Sequence, residues 1–286
     1  MDTIAFLGAG LIGSGMVRAA RARGLDVVVW NRTAAKADAL AEVGARPAPT
    51  IEAAVRGAAR VHVVLSDDAA VDAVLAAATP ALAAGALVID HSTASPRGTL
   101  TRATRAADAG VAFFHAPVFM SPPMAAAAKG LIVCSGPETI YERAREALAA
   151  MTGDVWYLGA RPDLAACYKL FGNAMILTIV GGLADVFAIA KAQGVPPEVA
   201  HQLFARFKPA ATIDARGAKM AVGDYAPSFE LAMAQKDVRL MLDAAGDVPL
   251  AVLPALSARM AALIAAGDGG ADVAVLARDA VPPRAG

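Results

Sequence analysis

Thr3-Ile4-Ala5-Phe6-Leu7-Gly8-Ala9-Gly10-Leu11-Ile12-Gly13 opens the chain's first recognisable unit. Ile4 to Leu7 is a short apolar run suited to a buried parallel strand. From Leu11 to Arg23 the apolar residues Leu11, Ile12, Met16, Val17 and Ala20 recur at i, i+3/i+4 spacing, which predicts a helix. Asp26 to Trp30 predicts a second strand. The G-x-G-x-x-G pattern therefore falls at a strand-to-helix turn inside a β-α-β unit. There Gly8 allows the tight turn, Gly10 lets a pyrophosphate approach the backbone, and Gly13 lets the helix pack on the strand. The free N–H groups at the helix start, around Leu11 and Ile12, and the positive end of the helix dipole suit a phosphate. A turn that merely packs a helix tightly accounts for Gly13 but not for three glycines together.

The chain has 286 residues, enough for one large or two modest domains with an ample core. It is 57% hydrophobic with a formal net charge of zero, so no large electrostatic footprint for nucleic acid or an anionic membrane is implied. Met1-Asp2 leads straight into the first strand, and no N-terminal signal is expected. Cys134 and Cys167 are far apart in sequence, which argues against a disulfide framework and fits a reducing cytoplasm. The most apolar long stretch, Leu170 to Ala190, contains Asn173 and Asp185 and is flanked by Lys169 and Lys191. It is expected to be a buried helix rather than a membrane span.

Strand two ends at Asn31-Arg32-Thr33. An NAD-selective site usually places a carboxylate near here on the ribose 2′-hydroxyl. Asn31, Arg32, Thr33 and Lys36 suit a 2′-phosphate instead, although a solvated loop with one ordinary arginine has the same residues. Val61 to Leu65 predicts another strand, ending at Ser66-Asp67-Asp68. These residues cap a helix from Ala69, and Leu65 and Ser66 also lie at the carboxyl end of a strand, where open α/β sheets bind ligands. Leu87 to Asp90 is a further strand, followed by His91-Ser92-Thr93 and a helix from Pro96. Ser92 and Thr93 serve as turn residues or as ligand contacts. Ala112–His115, Leu131–Cys134 and Val155–Leu158 are short strands, and Glu138–Met151 a helix. Between the first two, Ala116 to Pro123 reads as a stiff apolar loop, the wall of a site. Everything to about Ala160 is alternating β and α, a mostly parallel sheet covered on both faces.

After Arg161-Pro162 the pattern becomes helical: Asp163–Gln193, then Glu198–Phe207, Ile213–Met220, Phe229–Ala245, Leu250–Ala266 and Ala271–Asp279. The tail Pro282–Gly286 is expected to be disordered. The fold class is thus an α/β Rossmann-like domain, 1–161, followed by an all-α domain, 162–286. Lys169 and Asn173 lie four apart on one face of the long helix. A half-buried amine has its pKa drawn below roughly 10.4, which suits proton transfer with a hydroxyl. Lys236-Asp237 lies on another apolar helix and reads equally as a surface ion pair. His62, His91, His115 and His201 show no metal-ligand spacing, so no metal is expected.

Taken together, these residues resemble the β-hydroxyacid dehydrogenase family, which includes 3-hydroxyisobutyrate dehydrogenase and glyoxylate/succinic semialdehyde reductase. The matching stretches are Phe6–Gly13 with Asn31-Arg32-Thr33, Asp90–Thr93 followed by Pro96, Lys169 with Asn173, and Lys236-Asp237. The resemblance implies a Rossmann-like domain, a helical domain like that of 6-phosphogluconate dehydrogenase, and a homodimer or homotetramer. It implies Lys169 as catalytic acid/base, with Asn173 as its substrate-binding companion. Thr93 and Lys236 would lie against the nicotinamide, and Ser92, Phe119, Met120 and Ser121 near the substrate. Two departures stand out. His115-Ala116-Pro117-Val118-Phe119-Met120-Ser121 replaces the family's Asp-Ala-Pro-Val-Ser-Gly-Gly, which makes the wall bulkier and more apolar. Ala165-Ala166-Cys167-Tyr168 replaces the glycines before the lysine.

The expected function is an NADP-dependent oxidoreductase interconverting a small hydroxy acid and its semialdehyde or keto form. Imine reduction is the alternative, although related imine reductases generally replace the lysine. A non-catalytic NADP-binding module is the remaining reading.

Overall fold

The computed structural model describes residues 3–283; Met1-Asp2 and the end of the tail, 284–286, lie outside the described residues. In the first part of the chain β1 (Thr3–Leu7), α1 (Leu11–Ala22), β2 (Asp26–Trp30), α2 (Ala34–Asp38), β3 (Arg46–Pro47), α3 (Ile51–Val55), β4 (Arg60–Val63), α4 (Asp68–Ala78), β5 (Leu87–Asp90), α5 (Pro96–Asp108) and β6 (Ala112–His115) follow in order. The strands form one six-stranded sheet in the order β3-β2-β1-β4-β5-β6. All its pairings are parallel. That is the Rossmann order, with the crossover between β1 and β4 marking where such sheets bind a dinucleotide.

Alternation along the strands makes two cores. On β4, Val61 and Val63 face one layer with Ala5 and Leu7, while Phe6 packs into the opposite layer with Ile4, Val27, Val29 and Ile89. Burial on both faces explains why these strands read as continuous apolar runs.

The sheet does not continue past β6, contrary to the expected single mostly parallel sheet. β7 (Val118–Phe119), α6 (Pro122–Ala126), β8 (Gly130–Cys134), α7 (Glu138–Thr152) and β9 (Gly153–Tyr157) build a separate three-stranded sheet, β7-β8-β9. The expected loop from Ala116 to Pro123 thus contains a strand and a helix start. β7 pairs antiparallel with β8, and the Ser121 hydroxyl accepts from the Met124 N–H to cap α6. A two-residue strand is too short to leave a periodic signal.

The chain then enters α8 (Leu164–Ala192) and divides into two compact units inside that helix, at Asn173/Ala174. The remainder is α9 (Pro197–His201), α10 (Leu203–Arg206), α11 (Ala211–Ala221), α12 (Leu231–Ala245) and α13 (Leu253–Leu263). The stretch expected as one helix to Phe207 is the pair α9 and α10. The expected helix from Ala271 is a 3-10 turn, Val273–Ala277. Among the described residues beyond α8, the only β pairing is an isolated bridge, Glu230 to Asp272. Leu231, Val238, Met260, Leu263 and Val275 form the core of this second unit.

Asp185 is the polar interruption of the apolar helix, and the fold explains it. Its buried carboxylate accepts from the N–H groups of Ala251, Val252 and Leu253, the start of α13. Burial raises its pKa, but these N–H bonds outweigh that and hold it below the usual carboxylate value.

The long helix as a whole is not buried. Leu170, Phe171, Met175, Ile176, Leu177, Ile179 and Val180 are all exposed, Leu177 to 69%. By length and composition α8 could cross a membrane.

Candidate active site

The glycine turn is fixed by contact distances. Gly8 has φ +115°, and a Cβ there would lie 2.1 Å from the Val64 carbonyl oxygen. A Cβ on Gly13 would lie 2.2 Å from the Gly8 oxygen, whereas one on Gly10 would meet nothing within 4 Å. The first and third glycines therefore serve the turn, and the middle one keeps open the space over the start of α1. Asn31 braces this turn against the end of β2. Its Oδ1 accepts from the Ala9 N–H at 2.9 Å, and its Nδ2 donates to the Thr33 oxygen at 2.9 Å.

Gly10, Asn31, Arg32, Thr33, Lys36, Leu65 and Ser66 line one cavity of about 490 Å³. Arg32, Thr33 and Lys36 are exposed at its mouth. Trp30, Ile51, Val64, Ala70, Ala73 and Val74 complete the walls. These apolar residues gave no sign in sequence, since each also reads as core. A second cavity of about 440 Å³ adjoins the same turn, lined by Gly10, Leu11, Ser14, Arg18 and Lys36. Ile12 is half-buried against the core beneath it. Open backbone at a helix start, flanked by cations and an apolar slot, fits a dinucleotide: phosphate on N–H groups, adenine in the slot.

Along the edge toward β5, Asp67 caps α4 by accepting from the Ala70 N–H at 2.8 Å, and Ser66 donates to its other oxygen at 2.7 Å. The Ser66 bond, then the helix N–H groups, hold the Asp67 carboxyl below its usual pKa. Ser92 is 2% exposed. Its hydroxyl accepts from the Leu65 N–H, and its own N–H donates to Asp90 Oδ1, both at 2.9 Å. Ser92 thus ties two strand ends together, while Thr93 beside it is exposed.

Lys169 lies half-buried on α8, with its Nζ 4.1 Å from the centre of the Phe119 ring. Loss of water pulls its pKa below 10.5. The ring face opposes that pull, since an ammonium over an aromatic gains about 0.5–2 kcal/mol. The ring is seated where α8 has no side chain: a Cβ on Gly172 would be 2.4 Å from Phe119 Cζ. Asn173 follows one turn after Lys169 and is half-buried. Met120 packs on the first core, and Ser121 is exposed. In the second unit Lys236 pairs with its neighbour Asp237 at 2.8 Å, both partly exposed. Among the described residues no cluster of three or more His, Cys, Asp or Glu could hold a metal ion.

Residues 3–159 match the model for the NAD-binding domain of 6-phosphogluconate dehydrogenase. Residues 165–279 match that for the NAD-binding domain of NADP-dependent 3-hydroxyisobutyrate dehydrogenase. The chain belongs to the β-hydroxyacid dehydrogenase family. As a member it is an NAD(P)-dependent oxidoreductase of the hydroxyacid-dehydrogenase type. It is 28% identical to glyoxylate/succinic semialdehyde reductase 2 of Arabidopsis thaliana, over 86% of this chain and 70% of that protein. A reductive aminase from Aspergillus terreus, solved with NADPH4, cyclohexanone and allyl amine, superposes with a TM-score of 0.88. It shares 27% identity over 96% of this chain and 98% of that one. An imine reductase from Myxococcus stipitatus with NADP+ has the same fold, with a TM-score of 0.90 at 23% identity over 97% and 99% of the two chains.

Proposed function

We propose that this β-hydroxyacid dehydrogenase family member uses NADP(H) to interconvert a small hydroxy acid and its semialdehyde or keto form, with Lys169 as the acid/base. The observation that carries the reading is the half-buried amine one helical turn before Asn173, its pKa drawn down by burial. When bound, the nicotinamide accepts or supplies the hydride. In oxidation neutral Lys169 Nζ takes the substrate hydroxyl proton as the hydride leaves the adjacent carbon. In reduction protonated Lys169 polarises the carbonyl and returns that proton to its oxygen. Asn173 offers an amide to orient the oxygen, and exposed Thr93 lies at the strand end beside Ser92. Arg32 favours NADP(H), since its planar fork suits a 2′-phosphate and Asn31 presents no carboxylate to repel one.

The Phe119-Met120 wall favours a second reading, imine reduction, and the likeness to the reductive aminase supports it. The deciding assay follows NADPH absorbance with glyoxylate, succinic semialdehyde and a cyclic imine in parallel. Semialdehyde turnover supports the first reading, and imine turnover alone the second. NADPH binding with no turnover of any of them would leave a cofactor-binding module. The exposed apolar face of α8 supports a homo-oligomer, for which light scattering at micromolar concentration should give at least a dimer. A cytoplasmic location is part of the same proposal.

A further inference from the structure

Three of the four histidines, His62, His91 and His115, are buried behind the carboxyl edge of the main sheet, and the proposed reaction uses none of them. Two of them form a chain whose protons can be assigned. His91 Nδ1 lies 2.8 Å from the Ala116 carbonyl oxygen, which can only accept, so His91 Nδ1 carries the hydrogen. In the neutral ring His91 Nε2 is then an acceptor. It lies 2.9 Å from His62 Nδ1, which must donate. His62 Nε2 is left as an acceptor, and the Arg60 Nε–H donates to it at 2.9 Å. Every N–H points the same way, from Arg60 through both rings to Ala116.

No other assignment satisfies the chain. Arginine never accepts, so an added proton on either ring brings two N–H groups face to face somewhere along it. Packing and the bond itself hold the rings in place: Phe6 stacks on His62 with centroids 4.6 Å apart, and His62 and His91 meet edge to edge in nearly parallel planes, centroids 5.2 Å apart. Both rings are buried, which by itself disfavours charge.

The chain ends at a consequential place. Ala116 is the first residue after β6 and begins the short run to Phe119, whose ring covers Lys169. On the other side of His91 lies the Asp90–Ser92 brace that shapes the turn bearing Thr93. We propose that His91 is a positioning residue, and that its neutral Nδ1–H tautomer, set by Arg60 and His62, anchors the Ala116 carbonyl and thereby seats Phe119 against Lys169. This rests on the reading of Lys169 as acid/base. The glycine turn, built on β1 and β2, takes no part in it.

Two measurements test the proposal. Nitrogen-15 spectra of the wild-type histidine side chains need no turnover and report the tautomers directly. Both His62 and His91 are expected as neutral Nδ1–H, the less common form of free imidazole; an Nε2–H signal at either overturns the chain. The second test is kinetic. His91→Phe keeps a ring but loses the donor, whereas the amide nitrogen of His91→Asn sits close to where Nδ1 lies. His91→Phe should lower kcat about tenfold and leave the NADPH dissociation constant within about twofold, and His91→Asn should recover most of kcat. A general loosening of the fold would weaken cofactor binding as well and would not be rescued by asparagine, and either result overturns the positioning role. Wild-type kcat in a folded His91→Phe does so too. If His91→Phe does not fold, kcat in His91→Asn and the wild-type spectra decide. A wild type that binds NADPH but turns nothing over would count against the acid/base reading, while the spectra would still judge the chain.

Discussion

At the ends of β1 and β2 the protein shapes its binding edge with backbone. At the ends of β4, β5 and β6 it uses buried side chains. In the first region Gly8 and Gly13 bring atoms too close for any Cβ, and the charged groups Arg32 and Lys36 stand outside in water. In the second, His62, His91 and Ser92 are buried and bonded across strands, and buried Asp90 braces the turn through the Ser92 N–H. Backbone tolerates changes of charge and acidity around it but no added atom. Buried polar side chains tolerate small changes of shape better than a lost partner or an added proton. The two halves should therefore fail under different insults.

The largest effect expected lies beyond both halves, at the residue they serve. Lys169→Ala should lower kcat about a hundredfold to ten-thousandfold while NADPH still binds near wild-type strength. Keeping more than about a tenth of kcat on the substrate identified would remove the lysine from the chemistry.

Acid should strike the β4–β6 half selectively. Burial pushes the His91 pKa from 6.5 down to about 4, and that of His62 well below 6.5. Because their folded values are lowered, these rings cost the fold nothing above about pH 6.5. Stability is lost as pH falls from there toward 4, because the unfolded chain takes up the protons. A shift of that size corresponds to about 3 kcal/mol at the acid end. The carboxylates held low, such as Asp185, weaken only below their ordinary 3.8, so the two windows separate. A Tm that is flat from pH 7 to 4.5 would contradict this, and His91→Asn should flatten the curve relative to wild type.

The glycine half should respond to atoms instead. Gly13→Ala should cost about 2 kcal/mol by thermal or urea unfolding, in the range of strained or overpacked sites. Gly10→Ala should unfold like wild type yet bind NADPH more weakly. Equal stability of the two variants would mean that the turn relaxes more readily than its distances imply.

The smallest effect is expected at the rim. Arg32→Ala should raise KM for NADPH about tenfold and leave KM for NADH little changed, since one charge-assisted contact at an exposed edge contributes near the low end of about 1.5–3 kcal/mol. Equal losses for both cofactors would reassign Arg32 to stacking on adenine. A wild-type preference for NADH would refute the NADP reading itself.

The same contrast explains what the sequence disclosed. The glycine turn was legible because its constraints are local: three glycines, a strand before and a helix after, all within Thr3 to Trp30. The placement of Lys169 and Asn173 one turn apart was legible, because four-residue spacing puts them on one face of a recognisable helix. The histidine chain was invisible, since the two links made by His91 join residues 25 and 29 positions apart and each histidine alone reads as core. Ser92 looked like a possible ligand contact, and only the fold shows its hydroxyl engaged by Leu65. The break into a second sheet was hidden by the brevity of β7. Composition also misjudged α8: its apolarity foretold burial, yet most of that face is exposed in the single chain.

The interlock of Phe119 with Gly172 carries a consequence for how such a site can change over generations. Gly172→Ala alone should be harmful, because the new methyl lands on the ring. After Phe119→Ser the ring is gone, and the same substitution becomes helpful, since alanine in a helix interior is favoured over glycine by about 0.8–1 kcal/mol. One mutation thus reverses sign according to the state of another residue more than fifty positions away. A lineage moving from the bulky wall to a small one must take the Phe119 step first; taken in the other order, the path descends before it climbs.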